Sequence, residues 1–456
     1  MFTPAPQPSV PPDPAPEPVF PPDPTIDPAG SPNRLGPKLP VPHLGIEPDK
    51  PKPWWFVGGL MLGQLGIYLA LMGPATVSIQ LKATALSSDP AEQAAITGFA
   101  IAPGALAAVL FNALGGRISD RTTGRFGRRR PWIIGGMAAM LVGMFLIAIA
   151  PGAGLMAVGW FLAQATANMS FAAFTASLSD QLSSTQYGKV SGLVGIAQNL
   201  AVMLATWMAS WFDVNMLLLF MVPAVLGALL ALIYALMLPE PVLRTNRYPF
   251  NLVELLTTFW RNPLKYPDFA LAWGGRFAII LATYLFVTFR LLYMTNHLGL
   301  ESTTATSAVA VGVTIYTVAT MVAGVLGGWL SDLLGRRKVL VALSILLFAL
   351  ATYLLLHADT VSAFYVVEAI MGVAYGAYIA VDLALVLEVL PNREEAGKDL
   401  GVFNIANALP QSLAPAFGGF LLANLGGGTN FAPLLITAAC VAVLGAVMTM
   451  FIRGVK

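Results

Sequence analysis

Residues 188–200 read GKVSGLVGIAQNL and residues 397–409 read GKDLGVFNIANAL. The two share Gly, Lys, Gly, Ile, Ala and Leu at the same spacing, 209 residues apart. A second pair, GGRISD at 115–120 and GGWLSD at 327–332, is offset by 212. Similar apolar composition would not set Lys189 against Lys398 and Asp120 against Asp332, so the chain carries one unit twice. A repeat in the same orientation describes a membrane protein whose two bundles rock about a central site near the midplane.

Working outward from the repeat, apolar runs of about the length needed to cross a bilayer recur from Trp54 onward. They fall at 54–81, 92–116, 132–150, 154–178, 187–211 and 214–238, then at 268–296, 304–328, 338–357, 361–388, 398–423 and 431–452. The expected fold is therefore an all-α membrane protein of 12 transmembrane helices in two six-helix bundles. Helices are the expected form because a spanning segment must satisfy its own backbone, and the alternation of a barrel strand is missing. Composition agrees, with 57% hydrophobic and 11% charged residues over 456 positions, far from the roughly 25% charged residues of a soluble domain.

The basic residues sit in alternate loops, Arg117 to Arg130, Arg244 to Lys265 and Arg336 to Lys338, and in both tails. The positive-inside bias then places both termini in the cytoplasm and makes the number of spans even. Residues 1–53 are proline-rich and lack a periodic apolar face, which predicts a disordered cytoplasmic tail or a proline-rich ligand for a partner domain. No basic start, short apolar run and small-residue cleavage site precede the span at Trp54, so this tail does not read as a signal peptide. The expected domains are a bundle at 54–238, a cytoplasmic linker at 239–267 and a bundle at 268–456. Cys440 is the single cysteine and there are three histidines. Neither a disulfide framework nor a cysteine metal site can be built, and no metal, cofactor or nucleic acid is expected.

GGRISDRTTGRFGRRRP after the second span and GGWLSDLLGRRK after the eighth resemble the loop motif of the major facilitator superfamily, and the resemblance covers 54–452. It implies the major facilitator fold and a gating role for Asp120, Arg121, Arg125, Asp332, Arg336 and Arg337. The alternative for the arginines is that they only fix topology. The longer first loop, RFGRRRP at 125–131, is similar to the glycoside-pentoside-hexuronide cation symporters and their sucrose-transporter relatives; DLALVLEVLPNREEAGKDLG at 382–401 adds to that likeness. The chain departs from the plant sucrose transporters, since Gln164 stands where they carry a transport aspartate and Thr175 where they carry an arginine.

An ionisable side chain inside a membrane costs ~3 kcal/mol even on the translocon scale, so each needs a reason. Glu368, Tyr375 and Asp382 recur every seven residues on one face of the tenth span, with Tyr378 beside them, and all four are candidates for proton coupling or substrate binding. Asp382 can take a proton on one side and release it on the other; the alternative is that it anchors a neighbouring helix through Arg276. Gln164 and Asn168 lie on the pseudo-symmetric fourth span. Gln64, Tyr68, Asn112, Gln198, Asn199, Arg276, Asn404 and Asn407 are further inward candidates, each open to a role as interhelical glue. Amides and aromatic rings suit a sugar, whose hydroxyls need donors and acceptors and whose ring faces stack. The expected function is a secondary active transporter, a symporter of a small polar solute, sugar or glycoside, driven by a coupling ion, proton or sodium. The alternative is a proton-driven exporter of drugs or metabolites, and the chain lacks the exporters' GPxxGG-like signature in its fifth span. No phosphate loop, metal-ligand pair or nucleophile elbow speaks for an enzyme.

Overall fold

The computed structural model describes residues 51–240, 265–389 and 396–454, all within one compact unit. The tail to residue 50 and most of the expected linker lie outside the described residues. Among those described there is no strand. The helices are α1 (Trp54–Leu86), α2 (Pro90–Arg121), α3 (Arg130–Ile149), α4 (Ala153–Gln181), α5 (Ser184–Trp211) and α6 (Met216–Met237). There follow α7 (Pro267–Val287), α8 (Ser302–Leu334), α9 (Arg337–Leu354), α10 (Val361–Glu388), α11 (Ala396–Asn424) and α12 (Ala432–Met450).

Local chemistry sets the ends of these helices. The Asp89 carboxylate accepts from the Ala91 N–H at 3.1 Å, with Pro90 opening α2, and Asn215 Oδ1 caps two N–H groups of α6. Gly335 closes α8 in the left-handed region at φ 61°. Ten helices among the described residues are long and apolar enough to cross a membrane. The two long helices not among them, α4 and α11, carry the polar runs Gln164, Thr166, Asn168 and Ser170, and Asn404, Asn407, Gln411 and Ser412.

Packing repeats with the sequence. In the first half α1 packs on α5 and α6, α2 on α4, and α3 on α4 and α6; in the second, α7 packs on α11 and α12, α8 on α10, and α9 on α10 and α12. Each contact is matched by one between helices six places later. Small residues set the register: a Cβ on Gly115 would meet the Met169 backbone at 2.7 Å, and one on Gly327 the Ala377 backbone at 2.9 Å.

Two helices depart from regular geometry at matching levels. In α1 the turn Pro74–Ser78 widens to a π-turn, because Pro74 has no N–H to donate. Thr76 Oγ1 donates instead to the Met72 carbonyl at 2.6 Å. The seventh span, expected to run unbroken from 268 to 296, breaks at Thr288 and Phe289 and resumes as Arg290–Leu292 and the π-turn Tyr293–His297. The N–H groups of Leu291 and Leu292 point to Gln80 Oε1 at 2.9 and 3.3 Å. A side chain of the first half thus takes over backbone bonding that the helix gives up.

The described hydrogen bonds between the two halves gather near one end of the molecule. Besides Gln80, Asn296 Nδ2 donates to Gln93 Oε1 at 3.0 Å, Thr306 to Asp213 at 2.9 Å and Trp207 Nε1 to Thr314 at 3.1 Å. There α2 and α11 touch backbone to backbone, with Gly98 against Pro415 and Gly419 against Ala94. At the opposite end, which carries 121–130 and 335–336, no hydrogen bond joins the halves among the described residues.

Candidate functional site

Between the halves lies a cavity of about 640 Å³ lined by α1, α2, α4 and α5 on one side and α7, α8, α10 and α11 on the other. Its volume suits a small organic solute, for which pockets span about 300–1,000 Å³. The first-half wall carries Tyr68, Asn112, Trp160, Gln164, Asn168, Gln198 and Asn199. Asn168 Nδ2 donates to the Gln164 carbonyl and to its Oε1 at 2.8 and 2.9 Å, and Tyr68 meets Phe171 edge to face at 5.6 Å. Among the described residues, no charged side chain of this half lines the cavity.

The second-half wall is charged. Arg276 Nη1 donates to Asp382 Oδ2 at 2.5 Å and its Nε to Asn407 Oδ1 at 2.6 Å, with the guanidinium 4.8 Å from the Phe403 ring centre. The Tyr378 hydroxyl approaches the same carboxylate without forming a well-directed hydrogen bond. Further along, Arg290 Nη2 donates to Glu368 Oε2 at 3.1 Å and Nε faces Oε1 at 2.8 Å. This second pair is 3% and 0% exposed, and its guanidinium lies over Phe286 and Tyr316. Arg290 lines the cavity but Glu368 does not. Tyr375 stands between the pairs, its ring 6.1 Å from Tyr316 and 6.0 Å from Tyr378.

The structure therefore brings Asp382, Arg276 and Asn407 together and sets Tyr68, Gln164, Asn168, Tyr375 and Tyr378 around the cavity. Gln64 stands apart from them. It is buried off the cavity and donates to Gln198 Oε1 at 3.2 Å, joining α1 to α5. The Asn404 side chain lies outside what the structure describes. Sequence reasoning passed over Arg290, Trp160, Tyr284 and Tyr316. For Arg290 the signal was available: it follows Arg276 by 14 residues, as Asp382 follows Glu368 by 14 on an antiparallel neighbour.

The loop motif shows a different arrangement in each half. In the first, Arg129 is 3% exposed and reaches Asp120 at 2.6 Å, Asp180 at 3.1 Å and Ser119 Oγ at 2.6 Å, while Arg128 pairs with Asp180 at 2.7 Å. Glu240 accepts the Arg129 N–H at 2.6 Å, and Arg130 Nε donates to the Leu238 carbonyl at 2.8 Å. Burial holds the Glu240 carboxyl above the ordinary carboxylate range, against the pull of the two N–H groups it receives. Arg121 donates to the Arg117 carbonyl at 3.1 Å and Arg125 lies over the exposed Phe126 ring. In the second half Arg337 pairs with Glu388, while Asp332 and Arg336 are exposed. Arg129, within the basic loop but not singled out from sequence, is the hub of the first cluster.

Comparison with known proteins places this architecture. Over 111 residues the chain is 32% identical to an uncharacterized MFS-type transporter, YfiU, of Bacillus subtilis (strain 168), a match spanning 24% of this chain and 21% of that relative. The fold is similar to the crystal structure of the nucleoside transporter NupG, with a TM-score of 0.70 at 16% identity over 87% of this chain and 99% of that one. It is also similar to a bacterial homologue of the human lysosomal transporter Spinster in an inward-facing, unoccupied conformation, with a TM-score of 0.63 at 14% identity over 88% and 95% of the two chains. The Major Facilitator Superfamily profile matches residues 54–313 and again 272–456. With the internal repeat and the helices paired six places apart, these matches make the chain a member of the Major Facilitator Superfamily, a multi-pass membrane transporter.

Proposed function

We propose that this protein is a proton-coupled symporter of a neutral sugar or glycoside, a class that includes nucleosides as N-glycosides. In this reading all twelve helices cross the cell membrane, and the bundles at 54–238 and 268–456 rock about the cavity. The basic loops face the cytoplasm, so the closed end faces outward and the cavity opens inward. One observation carries the reading: every described charged side chain at the cavity is paired within the second half, while the first half offers uncharged amides and rings. A neutral polyhydroxylated solute can use those amides without breaking an ion pair, whereas a net ion would leave one charge uncompensated.

Coupling follows from the same arrangement. Protonation of Asp382 removes the partner of Arg276, and Arg276 also holds Asn407 of α11. Gain or loss of a proton therefore changes how α7, α10 and α11 are tied together. The clusters around Asp120, Arg121, Arg125 and Arg129, and around Asp332, Arg336 and Arg337, act on gating at the cytoplasmic end. The sugar-transporter resemblance of RFGRRRP supports the solute class.

The direct test adds sucrose, maltose and uridine in turn to de-energised cells containing the protein and follows external pH. Alkalinisation with one of them is the expected result. No change with any of the three would contradict proton symport of this solute class and favour sodium coupling or the exporter.

A further inference from the structure

The Arg290–Glu368 pair has the features of a working site more than of a brace. A fully buried ion pair contributes little net stability over an apolar replacement, and this one has a single well-directed hydrogen bond between its partners. Arg290 lies 14 residues after Arg276, in the continuation of α7, and Glu368 lies 14 residues before Asp382 on α10, so the two pairs share one antiparallel register. That spacing is ~20 Å along a helix, so one pair lies toward each end of the cavity. The pair toward the open end is the wetter, with Arg276 14% and Asp382 5% exposed, against 3% and 0% at the closed end.

Arg290 also sits immediately before the two N–H groups that Gln80 holds across the seam. Gln80 is fully buried and its Nε2 donates to the Thr76 carbonyl in the π-turn of α1. Opening the closed end must withdraw Gln80, which frees the backbone that fixes Arg290. Among the described residues, the groups facing Glu368 are few. Arg290 comes from the continuation of α7 and Tyr316 from α8; α9, also packed on α10, is free of titratable residues between Lys338 and Tyr353.

We infer that Glu368 is a second proton-binding site of the transport cycle, reached from the closed end when Gln80 lets go, with Arg290 as the cation that expels the proton on closure. The inference rests on the proposed proton symport and adds one carboxyl to it. With that end open, a proton from the outside water binds the Glu368 carboxylate and the bond to Arg290 breaks. With that end closed, Arg290 pairs again and the proton leaves to the cavity water that Arg290 lines. Asp382 and Arg276 carry out the same exchange at the other end, with Tyr375 and Tyr378 the other titratable groups facing Asp382.

The test uses the full chain in phosphatidylethanolamine–phosphatidylglycerol vesicles and N,N′-dicyclohexylcarbodiimide, which attacks protonated carboxyls in apolar surroundings and spares carboxylates. Peptide mass spectrometry then reports which residue is modified. Glu368 is expected to be labelled, with a yield rising by up to about ten-fold per pH unit as the medium is acidified, and Gln80→Leu should raise that yield at a given pH. A permanently paired Glu368 would stay unlabelled at every pH in both proteins, and that result overturns the inference. Labelling of Asp382 alone would leave the symport reading intact and remove only Glu368. Labelling of Glu368 alone would keep this site and remove Asp382 from coupling.

Discussion

The two halves share one scaffold and differ in the chemistry placed on it. The offset of 212 between the loop repeats sets Gln64 against Arg276 and Ser78 against Arg290. The matched glycine contacts, Gly115 on Met169 and Gly327 on Ala377, give an offset of 208 that sets Phe174 against Asp382 and Trp160 against Glu368. At the same four places the first half has amide, hydroxyl and rings where the second has two ion pairs. The Gln64–Gln198 bond is the uncharged counterpart of Arg276–Asn407, since the repeat offsets of 212 and 209 carry Gln64 onto Arg276 and Gln198 onto Asn407. On this matched packing the proposed function assigns solute recognition to the uncharged wall and proton coupling to the charged wall. At the loop end the contrast reverses, with the buried Arg129 network in the first half and, among the described residues, a partly exposed Arg337–Glu388 pair in the second.

The largest effect expected from breaking this contrast is at Arg290. Arg290→Ala leaves Glu368 as an uncompensated buried charge, a loss of about 3–5 kcal/mol. It should appear as a sharply lowered thermal unfolding midpoint in detergent, while Arg290→Met with Glu368→Met is far better tolerated. Equal destabilisation by the double change would mean that the pair acts as a brace. On the uncharged wall, Gln164→Ala should weaken solute binding by roughly 1 kcal/mol, about five-fold in KM, with the proton-to-solute ratio unchanged. A changed ratio would erase the division between walls.

The smallest effect belongs to the loop cluster. Because the Glu240 carboxyl titrates above its unfolded value, it binds its proton more tightly in the folded chain. Its contribution to stability is therefore full below the ordinary carboxylate range and is lost as pH rises through the raised value. Glu240→Gln can still accept the Arg129 N–H and should flatten that part of the stability–pH curve, by about 1 kcal/mol or less. Thermal melts across the window measure it, and an unchanged slope would contradict the assignment.

How much of this could be read from the residues alone depended on whether the signal was local. Helix positions were legible because an apolar run of the right length is a local property, and the ends moved by only a few residues. The break in α7 was not, because FVTFRLLYM reads as continuous helix until Gln80, over 200 residues away, takes its N–H groups. Asp382 and Arg276 were named from the cost of burying charge, and the same cost should have named Arg290. Gln64 was counted among the inward candidates as an amide within an apolar span, yet an amide there does not tell whether its neighbour is a cavity or Gln198. Among the cavity rings, Trp160 and Tyr316 carry no charge to single them out from apolar spans.

The central claim is that Asp382, paired with Arg276, carries the proton that drives uptake. It is tested most directly by loading energised vesicles containing the parent protein or Asp382→Asn with whichever of sucrose, maltose and uridine causes alkalinisation. The account predicts that the parent concentrates the solute, since each inward proton gains ~2.3 kcal/mol per 100 mV, and that Asp382→Asn equilibrates it without accumulation. Undiminished accumulation by Asp382→Asn would contradict the account.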